Sequence, residues 1–173
     1  MESIVLGGGC FWCLDALYRQ IKGVEKVTSG YAGGSEPNPT YESIHGNVSG
    51  HAEVVEITFD PIQVALETIL DVFWAVHDPT TINRQGNDVG QQYRSIVLYT
   101  PEQELEVKKA FDRAQINWDN KMVTELKPLD KFYPAEDYHQ DYFAKNPEQG
   151  YCQVIINPKL AKFRKNFPKL LKS

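Results

Sequence analysis

Strand-like and helix-like segments alternate along the 173-residue chain, and this alternation limits its possible folds more than any other feature. Four apolar or alternating runs predict strands at residues 3–7, 24–31, 52–59 and 95–99. Between and after them, helical spacing predicts helices over residues 11–21, from Asp60-Pro61 through Trp74, and from Thr100-Pro101 to about Trp118. Strands and helices intermixed in so short a chain predict an α/β (α+β) fold, a single two-layer domain with a mixed β-sheet flanked by helices.

The end of the chain is less regular in pattern. Residues 147–173 follow a turn-rich stretch and include six basic residues but no acidic residue after position 156. We expect an irregular, solvated C-terminal segment of the single domain 1–173, with Leu160, Phe163 and Phe167 docked on the body.

Composition bears on location and partners. The best apolar run, residues 69–76, falls well short of the roughly 18 residues that cross a bilayer. Residues 1–6 carry no basic leader, and three cysteines cannot all pair within one chain. A net charge of −5 argues against nucleic acid. We therefore predict a cytoplasmic protein, a monomer, with no membrane or nucleic-acid partner.

Cys10 and Cys13 form a Cys-x-x-Cys pair between the first strand and the first helix, directly after Gly7-Gly8-Gly9. Free amides and the helix dipole at such a junction favour a thiolate and lower a cysteine pKa from its usual value of about 8.5. The pair therefore suggests disulfide exchange, although two thiols packed as small apolar groups are an alternative. No second pair of ligands completes a zinc site, so we expect no metal.

Glu53 lies on the strand face that also carries Val55, Ile57 and Phe59, because side chains two apart point the same way. If this carboxyl group is dry, its neutral form is favoured, and it can donate a proton to a substrate oxygen. The alternative places Glu53 at the strand end in water. Tyr41 and Tyr93, near glycine-rich loops, either supply phenolic donors or pack as aromatic bodies.

Many short motifs occur in one order along residues 3–156. The chain resembles the A-type peptide methionine sulfoxide reductases in the segments Gly9-Cys10-Phe11-Trp12, Gly30-Tyr31-Ala32-Gly33-Gly34, Asn38-Pro39-Thr40-Tyr41, Gly50-His51-Ala52-Glu53, Phe73-Trp74, His77-Asp78-Pro79, Arg84 to Asp88, Gln92 to Ser95, Ala135 to Gln140 and Gly150-Tyr151-Cys152.

The resemblance implies a role for each of seven residues. They are Cys10 as the nucleophile, Phe11 and Trp12 as the pocket for the sulfoxide methyl, Tyr41, Glu53 and Tyr93 around the oxygen, and Asp88, which either orients the substrate or tunes the local charge. A neutral carboxyl and two phenols suit this chemistry, because a thiolate attacks a sulfoxide with difficulty unless the oxygen is protonated.

The resemblance also implies the rest of the cycle. Methionine S-sulfoxide, free or in oxidised proteins, becomes methionine, and Cys10 becomes a sulfenic acid that a second thiol converts to a disulfide. Cys152 matches a resolving position of the family, and a mobile tail reaches an oxidised thiol easily. Cys13, where the family often has Gly, is the alternative. Thioredoxin is the expected external reductant, and no metal or organic cofactor is implied.

Two other functions fit the cysteines. A thioredoxin-like disulfide oxidoreductase would use Cys10 and Cys13 alone and would need neither Glu53 nor the aromatic pocket. A redox-sensitive interaction module would bind through its aromatic motifs without turnover. Reduction of a sulfoxide by the purified protein separates these alternatives from a reductase that repairs oxidised proteins.

Overall fold

The computed structural model describes residues 1–45 and 49–172. Its strands are β1 (Glu2–Gly7), β2 (Val24–Ala32), β3 (Ala52–Phe59), β4 (Arg84–Gln85), β5 (Asp88–Val89), β6 (Ile96–Tyr99), β7 (Glu125–Pro128) and β8 (Phe132–Pro134). Its α-helices are α1 (Phe11–Tyr18), α2 (Tyr41–Ile44), α3 (Leu66–Val76), α4 (Glu104–Gln115), α5 (Tyr142–Lys145) and α6 (Asn157–Asn166). The four strands predicted from sequence are confirmed, with ends that differ by at most one residue.

Within the described residues, six strands form one sheet in the order β7-β6-β1-β3-β2-β8. Each pair is antiparallel except β6 and β7, which run parallel, so the predicted mixed sheet is confirmed. In the central pair, Tyr31 of β2 lies directly opposite Glu53 of β3. The remaining strands, β4 and β5, form a separate two-stranded hairpin within the long polar stretch of residues 79–92.

The two faces of the sheet carry cores of different size. Ile4, Leu6, Val55 and Ile57 pack with the helices in the main apolar cluster. The intervening residues of the same strands, such as Val5 and Val54, belong to a smaller cluster on the other face. This alternation follows from the two-residue period of a strand, and it places the helices on one side of the sheet.

The start of α3 differs from the prediction. The capping pattern at Asp60 predicts a helix from that residue, but α3 begins at Leu66. The Asp60 side chain instead accepts hydrogen bonds from the backbone N–H of Ile62 at 3.0 Å and from Gln63 Nε2 at 2.9 Å. An aspartate that closes a local turn in this way competes with helix formation.

The C-terminal segment is more regular than predicted. It contains a π-helical turn over Cys152–Ile156, the ten-residue helix α6 and a short 3₁₀ turn at Pro168–Leu170. Leu160 and Phe163 are buried in the main core, as expected, and they hold this segment against the body. The prediction of an irregular segment is therefore wrong, because apolar anchors at helical spacing order it despite its charge.

No helix in the described part of the chain is long and apolar enough to cross a membrane.

Candidate active site

The turn that carries Cys10 is fixed by close contacts at the glycines before it. A Cβ atom on Gly8 would lie 2.9 Å from His77 Cδ2, and one on Gly9 would lie 2.8 Å from Gln85 Cγ. Gly9 also has a φ of +94°, a conformation that favours glycine. The backbone thus presses against two buried side chains as it leaves β1, and Cys10 follows in extended conformation as the N-cap of α1.

Glu53 is buried beside this turn, with only 1% of its surface exposed. Its Oε1 accepts a hydrogen bond of 3.2 Å from the backbone N–H of Phe11, whereas Oε2 has no partner among the residues that the structure describes. Burial raises the pKa of Glu53 to about 8; the charge of Asp88 acts in the same direction, and the Phe11 N–H acts against it. The carboxyl group is therefore largely protonated at neutral pH, and the alternative of a water-exposed Glu53 is wrong.

Cys10 does not behave as its helix position predicts. Burial raises its pKa well above the ordinary value, and the neighbouring Glu53 and Cys13 raise it further. A backbone hydrogen bond from Trp12 acts against this but is outweighed. The prediction of a lowered pKa is wrong for the resting site, because desolvation beside a carboxyl group exceeds the effect of the helix terminus. The resting site therefore holds a thiol beside a carboxylic acid.

Tyr41 and Tyr93 bring two phenols to the same place. Burial and then the charge of Glu53 raise the pKa of Tyr41 to about 12. The same two causes, in the same order, raise the pKa of Tyr93. Cys10 and Asp88 act on both phenols as well, so the five groups are near one another. Both phenols are neutral at physiological pH and can donate hydrogen bonds.

Trp12 lies in a cluster of aromatic side chains. Its indole stacks on the Tyr142 ring, with centroids 3.7 Å apart and an angle of 6° between the ring planes. The Tyr151 ring packs against the indole in a T-shaped arrangement, with centroids 5.9 Å apart. The indole Nε1 donates a hydrogen bond of 3.0 Å to Nδ1 of His139. The Phe11 ring also packs against His139, with ring centroids 5.0 Å apart. These contacts fix the indole plane next to Cys10.

Asp88 connects the β4–β5 hairpin to the C-terminal segment. Its Oδ2 accepts a hydrogen bond of 2.8 Å from the Tyr151 hydroxyl. Tyr151 also contacts Trp12, so the residue before Cys152 is held at the site from two sides. Asp88 therefore contributes both a negative charge near Glu53 and an attachment point for residue 151.

Four side chains at the site were not assigned by sequence reasoning: Glu136, His139, Tyr142 and Tyr151. Three of them lie in segments whose resemblance to the reductase family is visible in sequence, which was the available signal. No periodic pattern gives their roles, because each contacts a residue at least 60 positions away.

The structure includes all three cysteines, and none of them is in a disulfide. The backbone N–H of Cys13 donates to the Cys10 carbonyl oxygen at 3.2 Å, one helical turn away. Cys152 is fully buried in its π-helical turn. The expectation that it lies on a mobile tail is wrong for this conformation, because the apolar residues that follow it anchor the turn. In residues 1–45 and 49–172, no three His, Cys, Asp or Glu side chains form a group that could hold a metal ion.

The arrangement combines a thiol, a protonated carboxyl, two neutral phenols and an aromatic wall. Such a site can bind an apolar group on the wall and supply protons to an oxygen while the thiol attacks the adjacent atom.

Known proteins with similar sequences agree on one family. The family model described as peptide methionine sulfoxide reductase matches residues 2–171. The peptide methionine sulfoxide reductase MsrA of Pseudarthrobacter chlorophenolicus is 58% identical over 168 residues, which cover 96% of this chain and 97% of that protein.

Solved structures are similar as well. Methionine sulfoxide reductase A of Corynebacterium diphtheriae superimposes with a TM-score of 0.83 at 36% identity, over 88% of this chain and 78% of that one. Mxr1 from Saccharomyces cerevisiae in complex with Trx2 superimposes with a TM-score of 0.59 at 27% identity, over 82% and 84% of the two chains.

Proposed function

Because this chain belongs to the peptide methionine sulfoxide reductase family, we propose that Cys10 and Glu53 together carry its reaction. The protein is an oxidoreductase that reduces methionine sulfoxide in a thiol-dependent manner. Its substrate in this proposal is the S epimer, free or in oxidised proteins, and its role is repair after oxidative damage. The observation that carries the assignment of residues is the buried carboxyl of Glu53, with a pKa of about 8, next to the Cys10 thiol.

Substrate orientation follows from the aromatic wall. Phe11 and Trp12 receive the sulfoxide methyl, and the fixed plane of the Trp12 indole supports this role. With the methyl there, the sulfoxide oxygen points toward Glu53 and the phenols of Tyr41 and Tyr93. Hydrogen-bond donors placed where negative charge develops stabilise the transition state.

The chemical step exchanges two protons and one oxygen atom. Glu53 gives its proton to the sulfoxide oxygen, and the Cys10 thiol proton passes to the resulting carboxylate as the Cys10 sulfur attacks. The Cys10 sulfur bonds to the sulfoxide sulfur, and the sulfur–oxygen bond of the substrate then breaks as its hydroxyl group passes to the Cys10 sulfur. The transient sulfur–sulfur bond breaks as well, which releases methionine and leaves Cys10 as a sulfenic acid. Methionine is reduced by two electrons, and Cys10 is oxidised by two.

A second thiol then attacks the sulfenic acid, forms a disulfide and releases water. Cys152 is the proposed resolving residue, and Cys13 is the alternative. A disulfide needs Cα atoms within about 7 Å and a suitable torsion. In this proposal the turn that buries Cys152 rearranges to present its thiol to Cys10. Thioredoxin reduces the disulfide in this proposal, which the complex of the related Mxr1 with Trx2 supports.

We propose that residues 1–173 act as one domain and as a monomer in the cytoplasm, where a reducing environment keeps the three cysteines as thiols. The cycle then requires thioredoxin and no metal or organic cofactor.

An epimer-resolved assay tests this proposal. The purified protein, with dithiothreitol as reductant, should consume methionine S-sulfoxide and leave the R epimer. A folded Cys10→Ser variant should show no turnover, because it lacks the thiol that accepts the oxygen. Retained turnover in Cys10→Ser would exclude Cys10 as the nucleophile. Disulfide reduction without sulfoxide reduction would favour a thioredoxin-like enzyme instead.

A further inference from the structure

The Glu136 carboxylate makes two separate contacts at the edge of the site. Its Oε1 accepts a hydrogen bond of 2.9 Å from the Tyr31 hydroxyl, and its Oε2 accepts one of 3.1 Å from the backbone N–H of Tyr41. Burial acts to raise the pKa of Glu136, but hydrogen bonds from backbone N–H groups and from Tyr31 lower it. The group is therefore ionised at neutral pH, and charged acceptors form stronger hydrogen bonds than neutral ones.

Glu136 is itself held on the sheet. It follows β8, which pairs with β2 so that Tyr133 lies opposite Tyr31. Ala135, which directly precedes Glu136, donates its backbone N–H to the Ser29 carbonyl oxygen at 2.8 Å. After Glu136, the Gln140 side chain accepts from the Ser29 N–H at 2.8 Å and donates to the Ser29 carbonyl at 2.9 Å. The chain on both sides of Glu136 is thus fixed to β2.

The hydrogen bond from Tyr31 links Glu136 to the strand pair that carries Glu53. Tyr31 and Glu53 are directly opposed in the β2–β3 pair, so their side chains lie on the same face of the sheet. A carboxylate bonded to Tyr31 therefore has a set position relative to the carboxyl of Glu53.

Tyr41 also has contacts outside its bond to Glu136. The centroid of its ring lies 4.5 Å from the ring centroids of His139 and of His45, and 6.5 Å from that of Phe11. Within residues 1–45 and 49–172, its hydroxyl makes no hydrogen bond, which leaves the phenol free for a substrate oxygen. The Tyr41 backbone is held by two side chains: Glu136 accepts from its N–H, and the His45 ring bonds to its carbonyl oxygen at 2.6 Å. His45 directly follows α2, so of these two contacts it is Glu136 that ties Tyr41 to the sheet.

We propose that Glu136 is a positioning residue for sulfoxide reduction, which sets the Tyr41 phenol at a fixed distance from Glu53 by holding Tyr31 and Tyr41 with one carboxylate. This inference rests on the proposed role of Tyr41 at the substrate oxygen. A misplacement of about 1 Å in a reacting group can cost about 10²-fold in rate, so loss of one of the two contacts has a measurable effect.

A double-mutant cycle with Tyr41 tests the inference. Glu136→Gln keeps the shape of the side chain but leaves one acceptor oxygen for two donors. We expect it to lower the single-turnover rate of sulfenic acid formation by about 10-fold, because the displaced phenol no longer meets the oxygen. In a Tyr41→Phe background, the same change should alter the rate by less than about 2-fold, because no phenol remains to be placed.

Two further variants serve as controls. Glu102→Gln removes an exposed charge at the start of the turn before α4 and should leave the rate unchanged. Glu136→Asp keeps the charge but is too short to span both donors, and it should resemble Glu136→Gln. Thermal unfolding of each variant identifies any change that comes from loss of fold.

The outcomes separate this inference from the proposed function. A normal rate in both Glu136 variants, together with a slow Tyr41→Phe, would overturn the positioning role alone. An equal loss from Glu136→Gln with and without the Tyr41 phenol would also overturn it, since the carboxylate would then act elsewhere. A normal rate in Tyr41→Phe would remove the role of Tyr41 in the proposed function and, with it, this inference.

Discussion

The backbone N–H of Phe11 donates a hydrogen bond of 3.2 Å to Oε1 of Glu53. Phe11 directly follows Cys10, so this bond ties the carboxyl on β3 to the first residue of the helix that begins after the thiol. The bond favours the ionised carboxylate and opposes the larger effect of burial, and the resulting pKa of about 8 keeps the proton available near neutral pH. The Phe11 N–H thus both positions the Glu53 carboxyl and moderates its pKa.

Glu53→Gln should slow sulfenic acid formation by about 10²-fold, the usual scale of general acid catalysis. In the unsubstituted enzyme, the protonated carboxyl is the active form, so the rate should fall as pH rises through about 8. The variant should lose this decline. Single-turnover rates between pH 6 and pH 10 (roughly two units either side of that value) measure both effects.

Glu56→Gln is the matched control for that experiment. Glu56 lies three residues further along β3, on the opposite face of the strand, and is partly exposed. The Glu56→Gln variant should have the same single-turnover rate and the same pH profile as the unsubstituted enzyme. A near-normal rate in Glu53→Gln would contradict the role of Glu53 as proton donor.

Cys152→Ser should preserve the first stoichiometric turnover but strongly impair cycling with thioredoxin, whereas Cys13→Ser should have the smaller effect. The reason is geometric: Phe11 and Trp12, which form the proposed substrate pocket, lie between Cys10 and Cys13 and must hold that pocket while Cys13 reorients within α1. Cys152 lies in a separate turn, so its movement leaves these two residues in place. Peptide mapping of enzyme oxidised by substrate should find Cys10 linked to Cys152. A dominant bond between Cys10 and Cys13 would reverse this preference.

The same oxidation should expose the segment around Cys152. Cys152 is buried, and its neighbour Tyr151 is held by Asp88 and Trp12, so we expect a bond between Cys152 and Cys10 to loosen these contacts. Amide hydrogen exchange of residues 150–156 should therefore be faster in the oxidised enzyme than in the reduced one. Equal exchange in the two forms would show that Cys152 resolves without this opening or does not resolve.

Trp12→Ala should lower kcat/KM for methionine S-sulfoxide by at least about 10-fold, since loss of even small apolar contacts in a substrate pocket costs about 1–3 kcal/mol. Trp118→Phe is a control for general effects of tryptophan substitution. Trp118 lines a separate cavity with Trp74 and Arg113 and should be neutral for activity. Steady-state kinetics with a saturating reductant gives the comparison, and an unchanged kcat/KM in Trp12→Ala would exclude the indole from the pocket.

His77 should make the fold sensitive to acid. Its Nδ1–H donates to the Phe73 carbonyl oxygen, and its Nε2 accepts from the Ser95 hydroxyl, which bonds in turn to Thr124. Burial lowers the pKa of His77 to about 4, the Phe73 bond opposes this, and Lys159 and Asp78 add smaller effects of opposite sign. The neutral ring thus satisfies a buried chain of hydrogen bonds.

The folded pKa of His77 lies below the ordinary value of 6.5, so the unfolded state binds the additional proton. This contribution to stability is complete above about pH 6.5 and declines as pH falls toward 4, by about 3 kcal/mol at most. Denaturant unfolding between pH 7 and pH 4 should show the decline in the unsubstituted protein and a weaker one in His77→Gln. Equal pH dependence in the two proteins would assign the effect to other groups.

The sequence by itself determined the four central strands, because their apolar alternation matches the two-residue period of a buried strand face. The same period placed Glu53 with Val55 and Ile57 on the core side, and the structure has it there. The family was also readable, since ordered motifs from Cys10 to Cys152 lie along one chain. The strands and the face of Glu53 depend on residues close together in the sequence, and the family is carried by short motifs.

Only the tertiary structure decided the state of the site. Whether Glu53 is dry, and whether burial or the helix terminus governs the Cys10 pKa, depends on atoms brought together from β1, β3 and the hairpin. Glu136 meets Tyr31 across 105 positions and Tyr41 across 95, distances over which no pattern in the chain carries information. Cys152 is likewise buried by residues that fold back onto α1. Desolvation and long-range hydrogen bonds exist only once the sheet has formed, and for that reason the sequence left these features open.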